Sequence, residues 1–498
     1  MQLFVETILN PFLVQCERYP QNAALVLNDV VYTYADLAQC IAQHVAWFKD
    51  TDSAYIGIDV DERIDSYAAI WAVWFCGKTA VPIVQQHSKE REALIEADCQ
   101  PMQRFTAGQC ARFELDADAI PYLSNCLLNQ PSDEEARIVL YTSGSTGVPK
   151  GAPLSGKNIA AFYRAFRKTP FDWHEGDRCL QLFDLSFDFS MLVYLPAWLG
   201  GACIYGIPRG EMLTPYIHYL LTEKQLTILP IVPTLLNYLK PYFDEMDCPN
   251  LRQLMVSGEA VPVSLVKAWY DQVPYGEIHT PYGPSECTML STTFHYPRGM
   301  DFDDMGQYCS IGHLFDGMIG RVLNAEGELA KIDEPGELYL SGPQVSAGYL
   351  NRPSLNNEKF VFMAHEGQNC RFYKTGDWVI PRADGRYDFI GRMDLQVKLK
   401  GGFRVELGEI EAIVNQLVTH CRHQAITIRN TMGNLELVLV FEAAPFATEE
   451  LKTFLKEHLP WYMQPFAIYF MDAFPTNQNK KTNRPALSAW AQQQYDTL

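Results

Sequence analysis

The chain has 498 residues, and its 40 Lys and Arg against 59 Asp and Glu give a formal net charge of −19. Apolar residues make up 48% and charged residues 20%, which is typical of a folded protein and excludes disordered, collagen-like and coiled-coil chains. The acidic balance argues against nucleic acid as a partner, because that binding needs clustered Lys and Arg, and the length predicts two or more domains.

The N-terminal part is predicted to contain no targeting or membrane-spanning segment. The first 20 residues lack a basic region and a small-residue cleavage site, so no signal peptide is predicted. The most apolar run, residues 67–84, is interrupted by Gly77, Lys78 and Pro82, which predicts a helix followed by a buried strand. The 13 cysteines are scattered without a CxxC pair, which suits reduced thiols, and we expect a cytoplasmic protein without a membrane span.

Two kinds of segment alternate along the first 330 residues. Short apolar, β-branched runs predict strands at 54–60, 137–141, 227–232 and 251–257. Helical periodicity predicts helices at 158–167 and 263–271. This alternation predicts an α/β architecture with largely parallel sheets.

The pattern changes near residue 336 to short strands and turns, among them a hairpin turn at Asp384-Gly385. Beyond residue 394, helices are predicted at 409–418 and 449–458, and strands at 424–428 and 435–441. We therefore predict an N-terminal core of residues 1–393, in which parallel-sheet α/β layers join a small β-barrel-like part. Residues 394–498 are predicted to form a small C-terminal α+β domain, which is of normal domain size.

A loop rich in glycine and hydroxyl groups follows the strand predicted at 137–141. It reads Thr142-Ser-Gly-Ser-Thr-Gly-Val-Pro-Lys150-Gly151. Glycines let backbone N–H groups approach an anion, the hydroxyls add donors and the Lys adds charge. The loop is not a Walker A motif, because Pro149 precedes Lys150 and Gly151 follows it. The composition therefore predicts an anion-binding loop of another kind.

This loop resembles the signature loop of the adenylate-forming superfamily, which includes acyl-CoA synthetases, luciferases and adenylation domains of nonribosomal peptide synthetases. Within it, the resemblance is closest to stand-alone amino-acid adenylation enzymes and D-alanine–carrier protein ligases. In the family the loop holds the β- and γ-phosphates of ATP, which implies ATP as a cofactor. The residues to which this implies phosphate binding are Thr142, Ser143, Gly144, Ser145, Thr146, Gly147 and Lys150.

A second motif, Tyr282-Gly-Pro-Ser-Glu-Cys-Thr288, resembles the family's YGPTE motif, with Ser285 in place of Thr. The resemblance implies that Tyr282 stacks on the adenine with Gly283 beside it, and an aromatic ring suits that contact. It also implies that Glu286 is the catalytic carboxylate that holds Mg²⁺, for which oxygen is the preferred ligand.

Two further motifs belong to the nucleotide site that the resemblance implies. Residues 257–260 read Ser-Gly-Glu-Ala and resemble the segment whose backbone borders the adenine. The residues so assigned are Gly258, Glu259 and Ala260. Residues 373–377 resemble the family's TGD motif and imply that Asp377 binds the ribose hydroxyls, which a carboxylate can accept.

The motif Gly391-Arg-Met-Asp-Leu-Gln-Val-Lys398 resembles the family's hinge. The resemblance implies that Arg392 approaches the ribose and phosphates. It also implies that Asp394 is the pivot about which the small, mobile C-terminal domain rotates. Residues 401–411 resemble the adjoining loop, which in the family faces the thiol acceptor of the second half-reaction.

Near its end the chain carries Asn479-Lys-Lys-Thr-Asn-Arg484, which resembles the family motif with the catalytic Lys of adenylation. Alignment on Arg484 gives that role to Lys481. Lys480 stands where the family has Gly, so the choice between the two adjacent lysines stays open. Together, Lys481, Glu286 and Lys150 would stabilise the charge that develops in the reaction.

The segment Phe183-Asp-Leu-Ser-Phe-Asp-Phe-Ser190 resembles the FDxS stretch of amino-acid-activating members, in which the Asp pairs with the substrate ammonium. This implies that role for Asp184, because a buried carboxylate needs a cationic partner. The other pocket positions implied are Leu185, Asp188, Pro230, Met255, Ser257, Pro281, Met289 and Leu290. Most are apolar and of medium size, which favours a small or modest amino acid. Asp188 could meet a hydroxyl or a second cation, or turn away.

The resemblance implies ATP-dependent formation of an aminoacyl adenylate and transfer to a thiol. Only 14 residues follow Arg484, so we expect the thiol to come from a separate protein or from coenzyme A. Because Asp184 points to an amino-acid substrate, we expect the phosphopantetheine thiol of a separate carrier protein. The alternatives are an acyl-CoA synthetase for a small or aryl acid and a non-catalytic nucleotide sensor. The sequence leaves open the identity and stereochemistry of the amino acid, the pathway and the oligomeric state.

Overall fold

The structure, a computed structural model, describes residues 2–61, 63–84, 89–106, 118–142, 148–208, 210–302, 305–392, 396–399, 402–476 and 482–497. The α-helices are α1 (Asn10–Arg18), α2 (Tyr34–Phe48), α3 (Ile64–Phe75), α4 (Lys89–Asp98), α5 (Ala119–Cys126), α6 (Gly156–Phe166), α7 (Asp188–Gly200), α8 (Leu213–Thr222), α9 (Pro233–Leu239), α10 (Val263–Gln272), α11 (Pro353–Lys359), α12 (Leu407–Leu417), α13 (Glu449–His458) and α14 (Arg484–Asp496). The strands are β1 (Ala23–Leu27), β2 (Val30–Thr33), β3 (Tyr55–Val60), β4 (Thr79–Val84), β5 (Met102–Thr106), β6 (Ala136–Thr142), β7 (Lys150–Ser155), β8 (Arg178–Gln181), β9 (Cys203–Gly206), β10 (Ile228–Ile231), β11 (Gln253–Val256), β12 (Glu277–His279), β13 (Thr292–Thr293), β14 (His295–Tyr296), β15 (Ser310–Leu314), β16 (Ile319–Leu323), β17 (Gly336–Ser341), β18 (Phe360–His365), β19 (Gln368–Pro381), β20 (Tyr387–Arg392), β21 (Gln396–Leu399), β22 (Phe403–Glu406), β23 (Arg422–Arg429), β24 (Leu435–Glu442) and β25 (Ala467–Met471).

The chain divides into two compact units. The first comprises Met1–Gln85, Asp98–Tyr141 and Gly151–Met393, and the second comprises Gln86–Ala97, Thr142–Lys150 and Asp394–Leu498. The predicted domain boundary between residues 393 and 394 lies outside the described residues, and the division into 1–393 and 394–498 stays a prediction.

The first unit contains two sheets whose interior strands are parallel, as the alternating pattern predicts. The five-stranded sheet has the order β5-β3-β4-β6-β7, and the eight-stranded sheet has the order β14-β12-β11-β10-β8-β9-β1-β2. In the larger sheet the antiparallel strands β2 and β14 stand at the two edges. Parallel strands buried on both faces explain why their sequences are continuous apolar runs rather than alternating ones.

A helical layer joins the two sheets. Every residue of α3 from Ser66 to Phe75 is buried, and the helix packs on β3 and β4, whereas α7 packs on β8 and β9. The two helices meet at Trp198 of α7, whose ring centroid lies 5.8 Å from that of Tyr67 and 6.1 Å from that of Trp71. The apolar run at 67–84 is therefore a core helix followed by strand β4, as predicted, and within the described residues no helix is long and apolar enough to cross a membrane.

The remaining sheet of the first unit is antiparallel and has seven strands, in the order β13-β15-β20-β19-β17-β16, with β18 paired to β19. The predicted turn at Asp384-Gly385 joins β19 and β20, and Gly385 adopts φ +88°, a conformation that glycine reaches at low cost. The predicted fold class, parallel α/β layers with a separate β-rich part, is confirmed.

The second unit contains the hairpin β21–β22 and a three-stranded sheet of β23, β24 and β25. Strands β23 and β24 are antiparallel, and β24 and β25 are parallel. Its core includes Val405, Ile410, Leu439 and Leu455, which come from β22, α12, β24 and α13. The helix predicted at 449–458 has the bounds of α13, because its apolar positions recur at helical spacing between charged residues.

Candidate functional site

Several predicted pocket residues lie at the carboxyl ends of neighbouring parallel strands in the first unit. Strands β12, β11, β10 and β8 are adjacent in the eight-stranded sheet. Pro230 of β10 pairs with Met255 of β11, which in turn pairs with His279 of β12. Ser257 follows β11 directly, and Pro281 follows β12. Ligands of open α/β sheets bind outside the carboxyl ends of the strands, so this edge is the place to expect a binding crevice.

Asp184 lies in the turn that leads from β8 into α7. Its Oδ1 accepts a hydrogen bond from the backbone N–H of Ser186 at 2.8 Å, and its carbonyl accepts one from Phe187 N–H at 3.0 Å. These bonds close a short turn of the kind that Asp side chains favour. Leu185 is buried beside it, and Asp188 is the first residue of α7. Asp184 thus lies four residues before Asp188, in the turn that precedes α7.

Two aromatic residues at this turn were not assigned by the sequence analysis. The rings of Phe183 and Phe189 are stacked, with centroids 3.9 Å apart and an interplanar angle of 13°. A Cβ atom added to Gly258 would lie 3.6 Å from the ring of Phe189 and 3.0 Å from Val232. The stacked pair therefore brings the first turn of α7 against the loop after β11. Phe183 and Phe189 are six residues apart and lie on the two sides of a turn. Neither helical nor strand periodicity continues across a turn, so the sequence did not predict this contact.

The loops after β10, β11 and β12 are joined by side-chain hydrogen bonds. The Ser257 hydroxyl donates to the Pro281 carbonyl at 2.5 Å. The Glu259 carboxylate accepts hydrogen bonds from the backbone N–H of Thr234 at 3.1 Å and from the Thr234 hydroxyl at 2.6 Å. Thr234 lies in the first turn of α9, where a carboxylate is favourable. Gly258, Glu259 and Ala260 are thus held as one loop at the crevice.

The motif that begins at Tyr282 folds back on itself. A Cβ atom on Gly283 would lie 2.4 Å from the carbonyl oxygen of Met289 and 2.6 Å from the Cα of Leu290. Met289 itself adopts φ +70°, and both Met289 and Leu290 are buried. Only glycine allows this close approach of two backbone segments.

We therefore expect Gly283→Ala to destabilise the protein by about 1–3 kcal/mol, the usual cost of overpacking, because the opposing atoms are backbone and cannot rotate away. The measurement is the midpoint of urea unfolding. Gly306→Ala is the matched control, since Gly306 is exposed and a Cβ there meets no described heavy atom within 4 Å. An unchanged midpoint for Gly283→Ala alongside an unchanged control would contradict the prediction.

Tyr282, Asp377 and Arg392 form a hydrogen-bonded cluster. The Tyr282 hydroxyl donates to Asp377 Oδ2 at 2.6 Å, and Arg392 Nη1 donates to Asp377 Oδ1 at 2.7 Å. Asp377 of β19 and Arg392 of β20 are register partners, so the sheet itself brings them together. Burial, followed by the Asp377 carboxylate, raises the pKa of Tyr282 well above its usual range. The phenol therefore stays protonated and remains a donor.

Glu286, four residues after Tyr282, is fully buried. Its Oε1 accepts a hydrogen bond from the Tyr349 hydroxyl at 2.5 Å, and its carbonyl accepts one from Ser346 N–H at 2.8 Å. The side chain is thus an oriented carboxylate. Carboxylate oxygen is the donor that Mg²⁺ takes from proteins, so this residue fits a magnesium ligand.

In the second unit, the Lys150 amine lies 3.3 Å from Glu406 Oε1. The same oxygen accepts a hydrogen bond from Gln396 Nε2 at 2.6 Å, and all three residues are buried. Thr142 ends β6 at the start of the glycine-rich loop. The other predicted loop residues Ser143, Gly144, Ser145, Thr146 and Gly147, the predicted pivot Asp394 and the predicted catalytic Lys481 lie outside the described residues.

The family of the chain follows from its sequence. The sequence profile described as "AMP-binding enzyme" matches residues 12–350. The chain belongs to the AMP-binding enzyme family. The adenylate-forming superfamily that the motifs predicted is thereby confirmed.

This AMP-binding enzyme is similar to segments of large synthetases. It is 33% identical to one of the linear gramicidin synthase proteins of Brevibacillus parabrevis, over 96% of this chain and 6% of that protein. It is 30% identical to delta-poly-L-ornithine synthetase of Acinetobacter baumannii, over 97% of this chain and 37% of that protein. The chain therefore spans less than half the length of these relatives.

Solved structures share the fold over nearly the whole chain. The Vibrio cholerae adenylation domain AlmE, in complex with glycyl-adenosine-5'-phosphate, superposes with a TM-score of 0.83 at 26% identity, over 98% of this chain and 97% of that one. The o-succinylbenzoate CoA synthetase MenE of Bacillus subtilis gives a TM-score of 0.77 at 20% identity, over 96% and 98% of the two chains. The second similarity concerns the fold alone.

Proposed function

We propose that this AMP-binding enzyme activates an amino acid. The substrate carboxylate attacks the α-phosphorus of ATP, which gives an aminoacyl adenylate and releases pyrophosphate. The observation that carries the proposal is the position of Asp184, a carboxylate fixed in the turn after β8 at the edge where Pro230, Met255 and Ser257 also lie. A substrate ammonium is the cation that such a carboxylate would bind. The similarity to AlmE, which was solved with glycyl-adenosine-5'-phosphate, supports it.

The nucleotide would occupy the loops beside this pocket. Tyr282 would stack on the adenine with Gly283, and the loop of Gly258, Glu259 and Ala260 would border the base. Asp377 would accept the ribose hydroxyls, and its two carboxylate oxygens are already oriented by Tyr282 and Arg392. A preoriented acceptor binds a hydroxyl pair at lower entropic cost than a mobile one.

Both reactants are anions, so the site must neutralise negative charge as the bond to phosphorus forms. Thr142, Ser143, Gly144, Ser145, Thr146, Gly147 and Lys150 would hold the β- and γ-phosphates, and Lys481 would contact the reacting groups. Glu286 would hold Mg²⁺, which when bound screens the phosphate charge. No protein nucleophile is needed, because the substrate carboxylate itself attacks the α-phosphorus. The protein has only to position the reactants and stabilise the charge.

The residues that surround Asp184 favour a small amino acid. Leu185, Met255, Met289 and Leu290 are buried apolar side chains. The remaining members of the proposed pocket are Pro230, Ser257, Pro281 and Asp188. The Ser257 hydroxyl is turned to the Pro281 carbonyl, which leaves the pocket wall largely apolar. The stacked Phe183 and Phe189 fill further space beside it.

For the second half-reaction we propose transfer of the aminoacyl group to the phosphopantetheine thiol of a carrier protein. Residues 394–498 would form the small domain that carries Lys481 and turns about Asp394 between the two steps. The similarity to segments of linear gramicidin synthase and delta-poly-L-ornithine synthetase supports an amino acid as the group that is transferred. A small or aryl acid as the substrate is the second candidate, and the same assay separates the two.

The test is ATP–pyrophosphate exchange with glycine, each of the nineteen standard L-amino acids, D-alanine, and several aryl and short fatty acids. We expect exchange with one small amino acid or a few related ones. Exchange with non-amino acids alone would overturn the role of Asp184 and identify an acyl or aryl ligase. No exchange with any acid, alongside intact ATP binding, would indicate a nucleotide-binding protein without adenylation activity.

A further inference from the structure

The segment of residues 344–350 connects two motifs that lie far apart in the sequence. Gln344 Nε2 donates to the carbonyl of Leu290 at 2.6 Å, and the Gln344 carbonyl accepts from the Thr288 hydroxyl at 2.6 Å. Ser346 N–H donates to the Glu286 carbonyl at 2.8 Å. The 344–350 segment is therefore bonded along the whole length of the loop that carries Glu286.

The same segment is bonded to β7, the strand that follows the glycine-rich loop. The Ser346 hydroxyl donates to the Pro153 carbonyl at 2.8 Å, and Leu350 N–H donates to the Gly151 carbonyl at 2.9 Å. Residues 344–350 thus fix the position of the Glu286 loop relative to β7, the strand that follows the glycine-rich loop. None of these contacts could be assigned from motif resemblance.

Tyr349 is the member of the segment that contacts a proposed functional side chain. Its hydroxyl donates to Glu286 Oε1 at 2.5 Å, and both residues are buried. The ring is fixed by an edge contact with Phe360, at 5.8 Å between centroids. A buried O–H donor holds the orientation of the carboxylate to which it is bonded.

A side-chain amide holds the backbone of Tyr349. Asn356 Oδ1 accepts from Tyr349 N–H at 2.7 Å, and Asn356 Nδ2 donates to the Tyr349 carbonyl at 2.9 Å. A Cβ atom on Gly348 would lie 2.8 Å from Asn356 Oδ1, so glycine is needed at that position for the amide to fit. The two bonds restrict the rotation of the Tyr349 backbone and so the direction of its hydroxyl.

We propose that Tyr349 is a positioning residue for Glu286, held in place by Asn356 and the 344–350 segment. The Tyr349 hydroxyl fixes the carboxylate in the orientation in which it binds the metal of the metal–ATP complex. This inference rests on the proposed role of Glu286 in nucleotide activation. Residues that orient a metal ligand commonly change metal affinity by about 10–100-fold when they are replaced.

The test is calorimetric titration of the full chain with a non-hydrolysable ATP analogue, first with Mg²⁺ and then with EDTA. For Tyr349→Phe, which keeps the ring, we expect affinity for the Mg²⁺ complex to fall by about 10–100-fold. Affinity for the metal-free analogue should stay within about twofold of wild type. In the exchange assay the Mg²⁺ concentration for half-maximal rate should rise, while the KM for the amino acid stays unchanged.

Tyr339→Phe is the matched control, because the Tyr339 hydroxyl also donates to a carboxylate, Glu337 Oε2, at 3.0 Å. It should change neither affinity. Asn356→Ala should reproduce the Mg²⁺-specific loss in weaker form. An equal loss of both affinities in Tyr349→Phe, or no loss in either, would overturn the proposal. The titration needs no amino acid. It therefore tests the role of Tyr349 even if the exchange assay contradicts the proposed function.

Discussion

Lys481→Ala is expected to lower amino-acid-dependent ATP–pyrophosphate exchange by about 10²–10³-fold, the usual cost of removing one group that stabilises developing charge. The amine would act on the reacting groups rather than on the base or ribose. Binding of ATP, measured by calorimetry, should therefore stay within a few fold of wild type. The KM for the amino acid should change little compared with kcat.

The residues that follow Lys481 are fixed to the second unit, which makes the substitution informative. Arg484 Nη2 donates to both oxygens of Glu411 at 2.7 and 2.9 Å, and Arg484 Nη1 donates to the Ala425 carbonyl at 2.8 Å. The Asn483 side chain accepts from Ala486 N–H at the start of α14. An alanine at position 481 leaves these anchors in place.

Lys480→Ala is the matched control for this experiment, because it removes the same charge one residue earlier. We expect it to retain most of the exchange activity. If Lys480→Ala abolishes exchange and Lys481→Ala does not, the alignment of the terminal motif on Arg484 is wrong by one residue. If both variants keep wild-type rates, the motif has no role in adenylation.

Asp184→Asn is expected to raise the KM for the amino acid by about thirtyfold or more, because removal of one partner of a buried charge pair costs about 2 kcal/mol or more. Asparagine is nearly isosteric with aspartate. Its Oδ1 can still accept the 2.8 Å hydrogen bond from Ser186 N–H, so the turn before α7 should persist. The substitution is therefore expected to remove only the negative charge, and the affinity for ATP should not change.

Asp188→Asn provides the comparison for Asp184→Asn, since it removes a carboxylate four residues further along, at the first residue of α7. A second comparison uses the deaminated acid, which has the carboxylate and side chain of the amino acid but no ammonium group. Wild type should reject the deaminated acid, and Asp184→Asn should lose much of that preference. An unchanged KM in Asp184→Asn would remove ammonium recognition from this residue, and a large effect confined to Asp188→Asn would transfer it.

Local signals in the sequence predicted most of the regular structure. Helix α13 begins and ends at the predicted residues, and strand β24 extends only one residue further than predicted. The strand predicted at 251–257 is observed as Gln253–Val256, two residues shorter at its start and one at its end. It ends before Ser257 because the chain turns there, with Gly258 at φ +88°. Hydrophobic periodicity marks where an element lies, but its end depends on the neighbours against which it packs.

The motifs predicted which residues form the candidate site but not how they contact each other. Tyr282 and Asp377 were assigned separately, to the adenine and the ribose, and the structure shows that the phenol donates to the carboxylate. Lys150 was assigned to phosphate binding, and its amine lies beside Glu406 in the second unit. Glu406 was assigned only to the loop that in the family faces the thiol acceptor, and Tyr349 had no assigned role, since a single acid or tyrosine carries no local signal of its partner.

The sequence by itself determined the family and the α/β class, and it predicted the residues of the candidate site, because these depend on local periodicity and on short motifs. The tertiary structure alone decided the pairs: Glu286 with Tyr349, Ser257 with Pro281, and the stacked Phe183 and Phe189 against Gly258. Such contacts join residues that loops and sheets bring together. Their geometry follows from the packing of the whole unit, so it cannot be predicted from any short stretch of the sequence.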